Sequence, residues 1–502
     1  MRKLFKQILT SKVYQAAIET PLEESVFLSQ LLNNRVLLKR EDLQPIFSFK
    51  IRGAYNRIAH LSEAERTAGI ITASAGNHAQ GVAFSGQKLA IDTTIVMPVT
   101  TPAIKVAAVK SFGAKVVLFG DNYSEAAEHC AHLVSESDMV FIPPFDDELV
   151  IAGQGTIADE LLRQSAGRID AVFVPVGGGG LLAGVAVFLK ELCPHVRVIG
   201  VEPVDSDAMA RSLAAGHRVK LDSVGIFADG VAVREVGKLT FDICSRLVDE
   251  IILVDIDEIC SAVKSVYQAT RSIVEPAGAL ATAGLKKYVR ERAVTGQSLV
   301  AINSGANMNF DRLRYVAERT LIGEKQEALF AVTIPEEPGS LLRFCREVVG
   351  DRNITEFNYR LSGRESAYIF VGIAIDGDEK RQAFQELLTA HGFENIDLTD
   401  NELAKTHVRY MVGGRSSDVK RERLFRFWFP ERPGALARFL ASMGADWNIS
   451  LFHYRIQGGD FGRVLVGLEI PQGQEPQLQA FLENLGYRHV EETDNQAYQL
   501  FL

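Results

Sequence analysis

The C-terminal third of this chain repeats itself without a gap, and nothing else in the sequence narrows the possible folds as much. Leu329-Phe330 returns as Leu424-Phe425, Pro335-Glu336 as Pro430-Glu431, and Pro338-Gly339 as Pro433-Gly434. Leu341, Arg343 and Phe344 return as Leu436, Arg438 and Phe439, and Asn353-Ile354 as Asn448-Ile449. Phe357, Tyr359 and Arg360 return as Phe452, Tyr454 and Arg455. One offset of 95 residues relates every pair, and 16 of the 34 positions from 327 to 360 are identical. A duplicated module follows. Each copy reads strand, Pro-Gly turn, helix, strand, strand, helix, strand, which is the ferredoxin-like split βαβ order. We bound the copies at 328–400 and 422–495, with a charged linker at 413–423, and assign 1–322 to a separate N-terminal domain.

That N-terminal part is patterned differently. Short apolar runs alternate with helical stretches: Val36-Leu37-Leu38, Ile70-Ile71-Thr72, Thr94-Ile95-Val96-Met97, Val116-Val117-Leu118, Ala171-Val172-Phe173-Val174, Val198-Ile199-Gly200-Val201 and Leu299-Val300-Ala301-Ile302. Continuously apolar strands separated by helices predict open parallel sheets buried on both faces. Two half-sheets, each with its own helices, leave a cleft at the carboxyl ends of the strands, where such folds bind ligands.

Composition removes several classes of function. The 502 residues are 47% hydrophobic and 23% charged, ordinary globular usage. A net charge of −9 argues against nucleic acid or an anionic membrane as the main partner. Apolar runs fall well short of the ~18 residues of a membrane span. The basic start, Met1-Arg2-Lys3-Leu4-Phe5-Lys6, is not followed by the apolar region of a secretory signal. The 5 cysteines are scattered with no Cys-x-x-Cys pair, so no disulfide or metal framework is expected and a reducing, cytoplasmic setting is.

Four stretches of the N-terminal part carry chemistry. In Phe47-Ser48-Phe49-Lys50-Ile51-Arg52-Gly53-Ala54, apolar residues at 51, 54, 55, 58 and 59 mark an amphipathic helix with Ser48 as N-cap and Lys50 in the first turn, off the buried stripe. A helix N-terminus disfavours a cation, which helps release a neutral, nucleophilic amine. Thr72-Ala73-Ser74-Ala75-Gly76-Asn77-His78 joins a strand to a helix, where backbone N–H groups of residues 74–77 are free to bind an anion such as a carboxylate and Asn77 can offer its amide. His78 receives no catalytic role. Gly177-Gly178-Gly179-Gly180-Leu181 joins another strand to another helix and reads as a phosphate cradle. Its Gly178-x-Gly180-x-x-Ala183 also fits a loose dinucleotide fingerprint with Glu202 as ribose ligand, which explains neither Lys50 nor the Ser74 turn. Asn303-Ser304-Gly305-Ala306-Asn307 ends a further strand; on its own it reads better as a plain strand-ending turn than as a way to bring the Ser304 hydroxyl into the cleft.

An amine, an amide donor, a phosphate cradle and a hydroxyl together suit pyridoxal 5'-phosphate held on a lysine. The Ser48–Ala54 and Ser74–Gly81 stretches and the tetraglycine resemble the threonine dehydratase (threonine deaminase) family, within the fold-type II, tryptophan-synthase-β-like pyridoxal phosphate enzymes. The resemblance covers essentially the whole chain, and the tandem repeat resembles the paired ACT-like regulatory modules of the biosynthetic form. It implies that Lys50 is the Schiff-base lysine beside Phe49, that Asn77 contacts the ring oxygen, that Gly177, Gly178, Gly179, Gly180 and Leu181 hold the phosphate, and that Ser304 faces the ring nitrogen. It further implies a homotetramer acting on L-threonine, and also on L-serine, inhibited by isoleucine and opposed by valine. Phe357, Tyr359, Phe452 and Tyr454 are the candidate regulatory residues, because alternate residues of a strand share a face; the same pattern also fits plain module cores.

Three rivals are weaker. Racemases of this group usually carry a second serine where this chain has Ala75, and catabolic dehydratases carry one regulatory module or none. An amino-acid sensor with a dead catalytic domain has no use for Lys50, Asn77, the glycine loop and Ser304 together.

Overall fold

The computed structural model describes residues 1–165, 167–310, 312–361, 365–401, 404–405, 408–410, 419, 421–430, 435–443, 447–455 and 461–495. The chain divides into two compact units, Met1–Thr320 and Leu321–Leu502.

The first unit holds two sheets. The smaller has the order β5-β4-β3-β6, built from β3 (Ile70–Ala73), β4 (Thr93–Met97), β5 (Lys115–Leu118) and β6 (Val140–Phe141), all parallel. The larger has the order β1-β2-β10-β7-β8-β9, from β1 (Leu22–Glu24), β2 (Arg35–Arg40), β7 (Ala171–Pro175), β8 (Arg197–Pro203), β9 (Glu250–Val254) and β10 (Ser298–Asn303). It is parallel except for β1, a short antiparallel edge strand that no apolar run announces. Central strands such as β3, β7 and β10 are buried along their whole length, as continuous apolar runs require. Edge strand β5 departs from the expectation: Lys115 and Leu118 are exposed, because only one neighbour covers it.

The helix Lys50–Ala59 also departs from its amphipathic reading. All of its residues from Ile51 to Ala59 except Arg57 are buried. Its expected polar face packs on the helix Glu148–Gln164: Gly53 approaches Gln154 and the Val150 carbonyl so closely that a Cβ would clash. On this face Arg52 is fully buried and ion-paired on both sides. It bonds Glu41 through two nitrogens, at 2.7 and 2.8 Å, and Glu160 at 2.6 and 2.9 Å. Lys39 Nζ, also fully buried, donates to Glu160 at 2.5 Å and to the Thr20 carbonyl at 2.5 Å. Two cations and two carboxylates thus neutralise one another out of water, and the remaining lone pairs are taken by Thr20, Gln44 and Tyr14.

The second unit is one eight-stranded antiparallel sheet of order β14-β11-β13-β12-β16-β17-β15-β18. The first repeat supplies β11 (Glu327–Pro335), β12 (Ile354–Arg360), β13 (Ser366–Ala374) and β14 (Asn395–Asp397). The second supplies β15 (Glu422–Pro430), β16 (Asn448–Arg455), β17 (Phe461–Glu469) and β18 (His489–Glu491). The copies join edge to edge: Phe357 pairs with Tyr454, Asn358 with His453 and Tyr359 with Phe452. Asn358 and His453 are equivalent positions of the repeat, so the seam has a local twofold at that pair. Helices cover one face, and a single apolar core runs under both copies, from Phe330 and Phe344 to Phe427 and Phe439. The Pro433-Gly434 turn and most of the linker at 413–423 lie outside the described residues.

Removing one member of a buried ion-pair set leaves the others charged and unpaired, which destabilises by about 3–5 kcal/mol. Arg52→Met is therefore expected to lower markedly the unfolding transition of the first unit in calorimetry of the full chain, while the transition of the second unit stays in place.

Candidate active site

The four stretches come together at the carboxyl ends of β3, β7 and β10. Backbone bonds zip three of the loops: Phe49 N–H donates to the Ser304 carbonyl at 3.1 Å, Ala306 N–H to the Phe47 carbonyl at 2.9 Å, and Glu275 N–H to the Gly305 carbonyl at 3.1 Å. Ser48 and Gly305 form an isolated bridge. Lys50 is the first residue of its helix, as expected, but the N-cap is Phe49 rather than Ser48. Ser48 is drawn into the bridge to Gly305, and its Oγ only reaches the Lys50 amide, at 3.4 Å.

The lysine amine has the character its role needs. Lys50 Nζ donates to the Pro144 carbonyl at 2.9 Å, a neutral acceptor, and the Phe49 ring lies 5.4 Å away. Burial lowers its pKa to about 8. The next residue after Pro144 carries the link to the glycine loop: a Cβ on Gly178 would stand 2.2 Å from the Phe145 ring, and one on Gly180 3.0 Å from Phe145 Cβ. The loop's glycines are therefore fixed by close packing as well as by any anion. Gly179 sits at φ +94°, open to glycine and strained for other residues, and it turns the chain into the helix Gly180–Leu192. Leu181 is buried behind it.

At the Ser74 turn, Gly76 caps the helix Asn77–Leu89, and a Cβ there would meet nothing within 4 Å, so this backbone faces open space. Ser74 Oγ accepts the Gly76 amide at 3.3 Å. The first amides of the helix, at Asn77 and His78, have no acceptor within it. His78 is buried, its ring bonded to the Ile142 carbonyl at 3.0 Å, and burial with the nearby Lys50 charge pushes its pKa down to about 3. It stays neutral and structural. Ser304 is buried and its Oγ donates to the Ala277 carbonyl at 3.2 Å.

Two polar residues at the centre were not assigned from sequence. Asn77 Nδ2 donates to Glu275 Oε1 at 2.5 Å, and Asn77 Oδ1 accepts from Asn307 Nδ2 at 2.7 Å. Glu275 is the N-cap residue of the helix Pro276–Arg292, yet its side chain makes no capping bond and turns into the cleft instead. Burial, then the Asp229 charge, raise its pKa to about 7. The Glu-Pro pair opening a helix was the available signal, since Ser, Thr, Asp or Asn is the usual cap. Across the cleft mouth, Lys105 of the smaller-sheet side pairs with Asp229 at 2.6 Å.

The dinucleotide reading fails here. Glu202 is buried and both its oxygens accept helix amides, from Met209 at 2.9 Å and Ala210 at 2.8 Å, so it is committed to the fold. What remains fits a phosphorylated pyridine aldehyde: a lysine of depressed pKa, an amide with one N–H to spare, an open helix N-terminus and a glycine turn at the head of another helix.

Known proteins agree. Residues 13–305 match the family of pyridoxal-phosphate dependent enzymes, and residues 318–408 and 413–502 each match the C-terminal regulatory domain of threonine dehydratase. The biosynthetic L-threonine dehydratase of Burkholderia multivorans is 55% identical over 500 residues, spanning 99% of this chain and 98% of that protein. The Escherichia coli enzyme of the same name is 51% identical over 498 residues, spanning 99% and 96%. This chain belongs to the biosynthetic threonine dehydratase family. Among solved structures, the processed threonine deaminase isoform 2 of Solanum lycopersicum superposes with a TM-score of 0.62 at 50% identity, covering 63% of this chain and 87% of that one. Maize serine racemase superposes at 0.59 with 31% identity, covering 64% and 97%. The family's cofactor is pyridoxal phosphate.

The neutral amine is the form that attacks the cofactor's aldehyde. With Lys50 lowered to about 8 by burial, the rate at which cofactor-free protein recaptures pyridoxal phosphate is expected to climb roughly tenfold per pH unit below that value. It then levels above it. Stopped-flow absorbance from pH 6 to 10 checks this; a climb continuing past pH 9.5 would mean an ordinary lysine.

Proposed function

We propose that this chain is an L-threonine ammonia-lyase, also accepting L-serine, that converts threonine to 2-oxobutanoate and ammonia at the head of isoleucine biosynthesis. The observation that carries the reading is the convergence of Lys50, Asn77, Gly177–Leu181 and Ser304 on one cleft. When bound, the cofactor would supply an electron sink for the electron pair left when the substrate's α-carbon loses its proton. Of the four amides expected to take the substrate carboxylate, those of Ala75 and Asn77 remain to receive it at the helix N-terminus, because the Ser74 N–H is bonded to the Val96 carbonyl at 3.1 Å and the Gly76 N–H to Ser74 Oγ at 3.3 Å. Lys50, whose pKa burial lowers to about 8, takes the α-proton in its neutral form. Phe49 flanks the lysine, its ring 5.4 Å from Nζ, and Leu181 closes the glycine loop that would hold the phosphate. Ser304 offers the ring nitrogen a hydroxyl and no carboxylate, which leaves that nitrogen without a proton and favours loss of the β-hydroxyl over transamination. Ala75 has no hydroxyl, so the opposite face of the substrate lacks the second acid that a racemase needs.

The second unit is the regulatory part. In this reading isoleucine inhibits, valine opposes it, and the working assembly is a cytoplasmic homotetramer. Phe357, Tyr359 and Phe452 are buried in the module core and Tyr454 packs against it, with the Phe357 and Phe452 rings 5.5 Å apart across the seam. An effector that alters how the copies pair would act through these four residues. Inhibition requires tighter binding to the less active state, and a coupling of ~1–3 kcal/mol gives a roughly 5- to 150-fold shift.

Two measurements test the reading. Lys50→Ala is expected to abolish threonine turnover and the visible band of lysine-bound cofactor while leaving far-UV circular dichroism unchanged; turnover above a trace would mean another base. Residues 1–322 alone are expected to keep cofactor and activity and to lose isoleucine inhibition. Equal inhibition of the truncated and full chains would put the effector site in the first unit.

A further inference from the structure

A backbone carbonyl can only accept a hydrogen bond, and that fact orients a whole relay in the cleft. The Ile46 carbonyl takes one N–H of Asn307 Nδ2 at 2.9 Å, which fixes that end of the Asn307 amide as nitrogen. The second N–H of the same nitrogen then points at Asn77, 2.7 Å away, and the atom it meets must be Oδ1. This in turn sets Asn77 Nδ2 toward Glu275 Oε1, at 2.5 Å. Asn77 Nδ2 has two N–H groups, and the relay uses one of them.

We propose that Glu275 is a positioning residue for the reaction: together with Asn307 it clamps both ends of the Asn77 amide and aims the remaining N–H at the ring oxygen of the cofactor. This rests on the reading of Asn77 given under Proposed function and assigns Glu275 a part in it. The geometry is built for the purpose in two further respects. Glu275 occupies an N-cap position and gives up the capping bond in order to reach Asn77. Gly305 makes room for it, since a Cβ there would stand 2.3 Å from Glu275 Oε1. Burial and then the Asp229 charge oppose ionisation of Glu275, while the Asn77 hydrogen bond, Lys105 and Arg312 favour it; the first two prevail and hold the carboxyl near its midpoint at neutral pH. A charged Glu275 pulls on the shared Asn77 nitrogen and places negative charge beside the ring oxygen, which raises that oxygen's affinity for a proton. A protonated Glu275 relaxes both effects. The clamp therefore tunes the colour of the bound cofactor as well as its orientation.

The test uses the full-length protein loaded with pyridoxal phosphate, in four forms: wild type, Glu275→Ala, Glu275→Gln and Asn307→Ala. The readouts are the visible absorbance band and its titration from pH 6 to 9, together with kcat and KM for threonine. Glu275→Ala is expected to shift the band or its titration and to lower kcat by about 10-fold or more, the loss of one charge-assisted bond. Glu275→Gln can still accept the Asn77 N–H through its amide oxygen. It is expected to keep kcat within about 3-fold while flattening the pH dependence of the band near 7, where the carboxyl titrates. Asn307→Ala frees the other end of the clamp and is expected to move the band in the same direction as Glu275→Ala. A merely structural Glu275 would alter stability and leave band and titration alone. Wild-type bands and titrations in both alanine variants would overturn the inference, and if Glu275→Ala does not fold, an unmoved band in Asn307→Ala overturns it alone. A wild-type protein with no visible band would instead refute the cofactor role of Lys50, so the two failures are distinguishable.

Discussion

The position of Lys50 depends on a group that never touches substrate. Arg52, two residues along the same helix, is fully buried and grips Glu41 from the end of β2 and Glu160 from the helix Glu148–Gln164. Those carboxylates tie the lysine helix to the larger sheet on one side and to a long core helix on the other. A buried ion pair is a poor source of stability, because desolvation offsets the attraction. It is a good source of uniqueness, because only one arrangement leaves no charge unpaired. Lys39 completes the neutralisation from β2, and Tyr14 reaches Glu160 from the N-terminal segment. In the role proposed for Lys50, an amine that meets an aldehyde within a fraction of an ångström needs its helix held against both translation and rotation. Arg52 supplies both restraints through a planar, five-donor head that a second lysine cannot imitate.

This network explains where the sequence was legible and where it was not. The strands could be read because a parallel sheet buried on both faces imposes continuous apolar runs, and β3, β7 and β10 carry them. The repeat could be read because duplication leaves identities at a constant offset. The lysine helix was misread as amphipathic because Arg52, Asn56 and Gly53 look like a solvent face. Periodicity does not distinguish a charge facing water from a charge facing two buried carboxylates, one of them 108 residues away. The same limit hid Glu275 and Asn307. Asn77, the glycine turn and Ser304 sit in local stretches with recognisable chemistry, whereas the partners of Asn77 lie 198 and 230 residues from it along the chain. Glu202 erred in the opposite direction: its spacing suited a ribose, and its carboxylate proved to be occupied by two helix amides.

The glycine loop carries a related lesson about double duty. Four glycines suggest exposed amides for a phosphate, and that reading stands on their place at a helix N-terminus. Yet Gly178 and Gly180 also pack against Phe145, while Gly179 meets Met209 and Thr240 and holds a left-handed φ. Pro144, next to Phe145, accepts the Lys50 amine. One short loop thus sets the distance between the group that would hold the phosphate end of a ligand and the group that would hold its aldehyde. Any side chain on Gly178 would push that loop and move the lysine's acceptor with it.

In the second unit the two copies are alike in their backbones and unlike in their buried charges. Glu327 and Glu422 are equivalent, each opening the first strand of its copy, and each receives a hydroxyl from an equivalent position, Thr355 and Ser450. Glu422 of the second copy is paired with Arg360, which belongs to the first copy and crosses the seam. Glu327 of the first copy is paired with Arg409, from the segment between the copies, and Arg409 also binds Glu356 at 2.8 Å. Glu356 has no acidic counterpart, since Leu451 stands at its place in the second copy. Among the described residues, the Glu422 carboxylate is neutralised across the seam and the Glu327 carboxylate by the connecting segment. The copies therefore do not fold as two independent beads. The second needs the first for its arginine, and the first has recruited the connector as part of its own interior.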